Sequence, residues 1–443
     1  MGIELGRAST DRSAGGDAGR AIPRWVDRRL WPLLATIGLI AVGMASTTWW
    51  GPWLLGKPAW SLPDDLWATL AAAQRLLHGN LGGLYTPPTR LITFPGAAVI
   101  LIPLVAVIDA AGVSLQVQNA HNLHPAAWLL AGPYEIALSA VALFAADALA
   151  EHLGADRAKR AALAGASAVA LWSVSVRWGH PEDAAAVGLL LYAILALSKA
   201  RTGRAAWLTG AAVAIQPLVL LALPVVAVVV EPRRLAGFLA RAAGPAAVLL
   251  GAAAAANWSA TFHAVTSQPN WITVDQATPW ASLAPHDGSG QAVAAGPARV
   301  LAILVACGCA LVAGRRWRAA RGAPWSPDVL AEVLWWTAVA LALRSLFEPV
   351  MVAYYTWPAL AVALIAASPN WPRLIATSVA AVALTYASQL MWRSPWTYWA
   401  PMIAGLALIL FLARIPPRTW ASQAGPPGGD SPPGASVVGQ EVH

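Results

Sequence analysis

Charge and cysteine are what this chain has least of. Only 11% of its 443 residues are charged, against 58% hydrophobic, which excludes an ordinary water-soluble protein of several domains. The two cysteines, Cys307 and Cys309, lie two residues apart in one apolar run. On a helix they face different sides, so they form no disulfide framework and no redox motif. The net charge of +8 is scattered in short clusters between apolar runs of membrane-spanning length, a pattern that does not describe a nucleic-acid surface. A secretory leader is not expected either, since the first apolar run begins near Leu30 and lacks a persuasive cleavage site.

What remains is an all-α polytopic membrane protein. Residues 1–29 read as a disordered cytoplasmic N-terminus, 30–414 as the integral membrane domain, and 415–443 as a disordered Pro/Gly-rich cytoplasmic tail. After a first span over about 30–50, apolar runs cover roughly 92–111, 128–150, 161–178, 184–198, 205–230, 242–258, 298–313, 329–347, 350–368, 373–390 and 397–413. That predicts about 11–13 spans. Segments 1–29, 151–160, 199–204, 231–241, 314–321, 369–373 and 414–418 hold 22 of the 29 Lys and Arg, which assigns them to the cytoplasm and the termini with them.

Two runs break simple alternation. The run 205–230 has basic clusters at both ends, which predicts a short hairpin turning at Gln216-Pro217, because proline ends a helix. A long kinked helix is the competing reading. Between the first outer loop and the cluster Arg157, Lys159, Arg160, the parity requires that one run be re-entrant or that the polar stretch 114–125 hide part of a crossing.

The polar residues of the outer half then form a candidate site. Asp64, Asp65, His78, Tyr85 and Arg90 lie in the first loop, which also carries an amphipathic helical run. Arg177, His180, Glu182 and Asp183 lie in VRWGHPEDA, Gln216 at the expected hairpin, and Arg344, Glu348, Tyr354 and Tyr355 in LRSLFEPVMVAYYTWP. Simpler readings stand beside each. Pro63-Asp64-Asp65 is a good helix start, Gly179 and Pro181 make a turn before a helix whose dipole favours Glu182 and Asp183, and single charges at a membrane boundary serve as anchors. Consecutive residues seldom converge on one ion, so no metal and no cofactor is expected. Trp258, Trp271 and Trp280 lie in the long outer loop 259–297 and its approach, where they have the chemistry to stack on sugar.

The order Asp65-Leu66, an amphipathic helix, Gly79, Leu84-Tyr85, then Phe94-Pro95 opening an apolar run resembles the first outer loop of polyprenyl-phosphate-sugar-dependent C-type glycosyltransferases, especially family 87. Gly179 followed by a polar residue, and a Gly-rich run reaching Gln216-Pro217, extend the likeness over about residues 60–230, with a looser match from Arg344 to Pro358. The resemblance implies a C-type glycosyltransferase fold and inverting transfer of a sugar, mannose ahead of arabinofuranose, from a polyprenyl-phosphate donor to an envelope glycolipid or lipoglycan, such as those of actinobacteria, at the outer face of the cell membrane. It implies Asp65 as base, with Asp64 its rival. Donor contacts then fall to Arg344, Arg90, His180, Arg177, Gln216 and Tyr85, supported by Glu182, Asp183, Glu348, Tyr355 and His78. The sequence departs from the family pattern at Gln216, where lysine is common, at His180, where glutamine is common, and at Gly96, where a second proline is usual. A lipid transporter or flippase, or a non-catalytic membrane protein of envelope assembly, is the alternative.

Overall fold

The computed structural model describes residues 26–48, 64–87, 91–115, 125–267, 270–272, 276–286, 290–319, 325–390 and 395–414. The segments 1–25 and 415–443, Arg90 and most of the stretch 114–125 therefore lie outside the described residues, and of Asp64 and Trp271 only the backbone is described. Among the described residues the protein is helical almost throughout, and six helices are long and apolar enough to cross a membrane.

Two ends of the molecule are told apart by their charges. At one end, the residues before α1 (Leu30–Thr48) are tied to α6 (Val141–His152) and α7 (Arg157–Trp172) by a buried network: Arg160 reaches both Asp147 oxygens at 2.7 and 2.6 Å, and Arg29 reaches Asp147 Oδ2 at 2.6 Å. A buried carboxylate is costly unless it is paired and hydrogen-bonded, and here two guanidinium groups satisfy it. The basic clusters after α8 (Pro181–Ser198) and at the start of α11 (Pro232–Ala256) share a groove, so they lie at one end too.

That shared groove decides between the two readings of 205–230. Helix α9 (Thr202–Ile215) stops at Gln216-Pro217 and is followed by a 3-10 turn, Pro217–Leu221, and the short α10 (Leu223–Ala227). Residues 201–204 and 233–241 nevertheless line one groove, so the chain has gone in and come back to the end it left. The break follows from proline, which offers no amide to the ladder and clashes with the preceding turn.

The run 92–111 proves to be a broken pair, α3 (Gly96–Val99) and α4 (Ile102–Ala110), lying against the amphipathic helix α2 (Asp64–Leu77). Leu66, Leu70, Ala72 and Ala73 of α2 are buried against this layer, Trp67 Nε1 donates to the Leu115 carbonyl at 2.9 Å, and Gln74 donates to Asp109 at 3.0 Å. The segment departs from Thr93, beside Gln216. It rejoins a continuous helix, Ala127–His152, formed by α5 (Pro125–Ser139) and α6, whose far end holds the Asp147 network. It thus begins and ends at the same end of the molecule, the path that a re-entrant run would take.

The second half closes the bundle. Asn257 caps α12 (Trp258–Thr266) and donates to the Gly82 carbonyl at 3.2 Å, joining it to the first loop. One small antiparallel pair, Asn270↔Val293 with Trp271↔Ala292, closes the long loop on itself, and a second, Gln276↔Met351 with Ala277↔Val350, ties it to the strand before Tyr354. Helices α13 (Pro297–Ala319), α14 (Pro327–Phe347), α15 (Trp357–Ala367), α16 (Trp371–Ala387) and α17 (Pro395–Ala413) follow, with α15 buried along its whole length. Cys307 is exposed and Cys309 half-buried on α13, both free thiols.

Candidate functional site

Three separate chain segments meet at the end opposite the basic clusters. Asp65 comes from the first turn of α2, where the unsatisfied amides favour negative charge. His180 is placed by an irregular turn: α7 runs into a π-helical stretch, Ser173–Arg177, and Gly179 takes φ +67°, a conformation that residues with a Cβ rarely adopt. Glu182 and Asp183 occupy the first turn of α8, and Arg344 lies in the last turn of α14.

These groups make a continuous polar chain. His180 Nε2 is 3.0 Å from Asp65 Oδ2, and its Nδ1 is 2.7 Å from Glu182 Oε1. The imidazole also stacks on Tyr354, with ring centroids 4.1 Å apart. Burial works against a charge on His180, but Glu182 and Asp65 outweigh it and hold the imidazole well above its ordinary pKa, so it donates to both carboxylates. Asp65 differs from its partners in access: its side chain is 39% exposed, whereas those of His180 and Glu182 are 3% and 2%. It is the most exposed of the three.

Asp183 forms a second branch. Its Oδ1 accepts from Gln216 Nε2, and its Oδ2 lies 3.3 Å from Arg344 Nη1. Thr93 in turn donates to Gln216 Oε1 at 3.0 Å, and Tyr85 donates to the Thr93 carbonyl at 3.1 Å, its phenol pushed up in pKa by burial. The Arg344 guanidinium lies 3.6 Å from the centre of the Tyr355 ring, a cation–π contact that supports a charge away from water. Gly96 sits where the backbones of two segments meet. A Cβ there would collide with the Ala214 carbonyl, so glycine is what lets α3 approach the end of α9 beside Gln216.

Asp65, Tyr85, His180, Gln216, Arg344 and Tyr355 line one cavity of about 380 Å³. Every residue of its lining belongs to this end of the molecule, and none comes from the basic clusters. Its other wall is apolar, with Leu220, Leu221, Ile303 and Leu343. Glu348 also faces the cavity but is held by Arg299 through paired bonds of 3.1 and 2.8 Å.

Some expected residues sit elsewhere. His78 is 3.5 Å from Asp109 at the far end of α2, about 20 Å along the helix from Asp65 at 1.5 Å per residue. Arg177 lies over Trp178 and does not line the cavity. Trp258 stacks on Phe262, and Trp280 donates to the Leu346 carbonyl at 2.7 Å, so each already has a structural contact.

Glu135, on α5, is the residue that sequence reasoning missed. It is fully buried, it lies within electrostatic reach of Glu182 and His180, and neither carboxyl oxygen has a hydrogen-bond partner among the described residues. The available signal was a lone carboxylate inside an apolar run, which is costly in a membrane and marks a candidate site residue.

His180, Glu182 and Asp183 offer ligand atoms within 4.8 Å of one another. The two ring nitrogens of His180 and both oxygens of Asp183 are already engaged with Asp65, Glu182, Gln216 and Arg344, so a cation there would have to displace these contacts. No protein-family model matches the sequence, and no curated protein matches it.

Proposed function

We propose that the protein is a C-type membrane glycosyltransferase that moves a sugar, mannose before others, from a polyprenyl-phosphate donor to a glycolipid or lipoglycan acceptor at the outer face of the cell membrane. The observation that carries this reading is the single cavity in which Asp65, His180 and Arg344 meet beside an apolar wall. Asp65 takes the proton of the acceptor hydroxyl as that oxygen attacks the anomeric carbon. The bond from that carbon to the phosphate oxygen breaks, configuration inverts, and the electron pair leaves with the polyprenyl phosphate. Arg344 stabilises the charge gathering on that phosphate. His180 holds Asp65 by a direct contact and Glu182 holds His180, as a third group orients a base in other acid–base sites. The wall of Leu220, Leu221, Ile303 and Leu343 gives an isoprenoid chain an apolar surface. Basic clusters at the opposite end favour cytoplasmic termini and an outward site.

The broken helix at Gln216-Pro217, whose turn also lines the cavity, favours a transporter as the second reading. The deciding experiment is transfer of label from radiolabelled polyprenyl-phosphate-mannose to lipid acceptors in membranes that contain the protein. Product above that of empty membranes supports the enzyme. Product equal to the empty-membrane background, with labelled donor crossing the bilayer unchanged, supports the transporter instead.

A further inference from the structure

The basic end holds a second cavity, of about 360 Å³, with no part in the site described above. It exists because the chain returns after the Gln216-Pro217 break, bringing the start of α11 beside the start of α9. Arg201 and Arg204 face Arg233, Arg234 and Arg241 across it. All five are exposed. Among the described residues, Glu231 is the one carboxylate paired within this group, with Arg234 at 3.2 Å. The wall also contains Ala200, the one non-glycine residue with positive φ among the described residues, at +56°. Its strained turn sets the arginine pair at the head of α9.

Convergence of this many like charges is unfavourable unless an anion shares the groove. One turn inward along α9 from Arg204, Trp207 is 56% exposed, and Val248, on the continuation of the Arg234, Gly237, Arg241 face of α11, is 70% exposed. Cationic head contacts and apolar flank contacts follow one another along the same helices, as in a site for a whole lipid and not for a soluble anion. We propose that this groove binds the headgroup of an anionic phospholipid, with a headgroup of more than one phosphate favoured, its acyl chains lying along Trp207 and Val248.

The test is native mass spectrometry of the full-length detergent-solubilised protein with added cardiolipin, phosphatidylglycerol or phosphatidylcholine, and with cardiolipin plus excess inorganic pyrophosphate. Cardiolipin should be retained over phosphatidylcholine, and the triple variant Arg201→Gln, Arg204→Gln, Arg233→Gln should lose about tenfold or more of that retention. A control removing as many charges from the same end, Arg315→Gln, Arg318→Gln, Arg373→Gln, should bind as the unmodified protein does. Equal retention in both triple variants, or equal retention of cardiolipin and phosphatidylcholine, would overturn the proposal. So would full displacement by pyrophosphate, which would assign the groove to a soluble anion. None of these outcomes depends on sugar transfer, so the groove and the glycosyltransferase reading stand or fall separately.

Discussion

His180 is the residue on which the site's electrostatics turn. Two carboxylates hold it charged in spite of burial, so its folded pKa is raised above the unfolded value of about 6.5. A raised pKa gives stability that is complete below the unfolded value and is lost as pH climbs through the folded one. Thermal unfolding of the detergent-solubilised protein should therefore fall from near neutral pH toward alkaline pH. His180→Gln should flatten that decline, and identical pH profiles for the two proteins would contradict it. Glu135 lies on the same chain of interactions without a partner of its own. Glu135→Gln keeps the shape of a side chain that has no hydrogen-bond partner among the described residues, so folding should survive, whereas Glu182→Gln alters a direct contact of His180 and should lower transfer by more. Titrated activity of the two purified variants would rank them.

At the scale of elements, the site depends on the junction between the first loop and the end of α9. Gln216 is held by Asp183 on one side and Thr93 on the other, and Gly96 allows the backbones to meet there. Gly96→Val should destabilise the protein by about 1–3 kcal/mol through overpacking. Gln216→Ala should cost about as much by leaving a buried Asp183 oxygen unpaired. Unfolding midpoints of both variants check this, and unchanged values would mean that the junction is not what positions the site. Much of this element-level picture was legible beforehand. Basic clusters at both ends of 205–230 and Pro217 announced the break, and the Asp64 start of α2 was readable from its capping pattern. The path of 92–111 was left between two readings, a re-entrant run or a crossing hidden in 114–125, because an apolar run shows length and not direction. Glu135 was hidden for a related reason: inside a span-like run its neighbours outvote one carboxylate. The pairing of Asp147 with Arg160 and Arg29 joins residues more than a hundred positions apart in one case, and sequence spacing carries no trace of it.

For the whole molecule, the charge asymmetry of the sequence reappears as two physically separate ends, with the acid, imidazole and guanidinium cavity at one and the arginine groove at the other. The orientation that follows from basic clusters facing the cytoplasm is testable in a background of Cys307→Ser and Cys309→Ser. A membrane-impermeant maleimide added outside intact cells should label Thr266→Cys, at the cavity end, and spare Ala236→Cys, at the basic end. The reverse pattern would turn the protein over and put the site in the cytoplasm.

The central claim is that one carboxylate on α2 acts as the base of a sugar transfer, and its direct measurement is the transfer rate of Asp65→Asn beside Asp64→Asn in membranes matched for protein level. The account predicts a loss of about 10²–10⁴-fold in the first variant, the usual contribution of a positioned general base, and a near-normal rate in the second. Equal rates in unmodified protein and Asp65→Asn, well above empty membranes, would contradict the role given to Asp65 and with it the reading of the cavity.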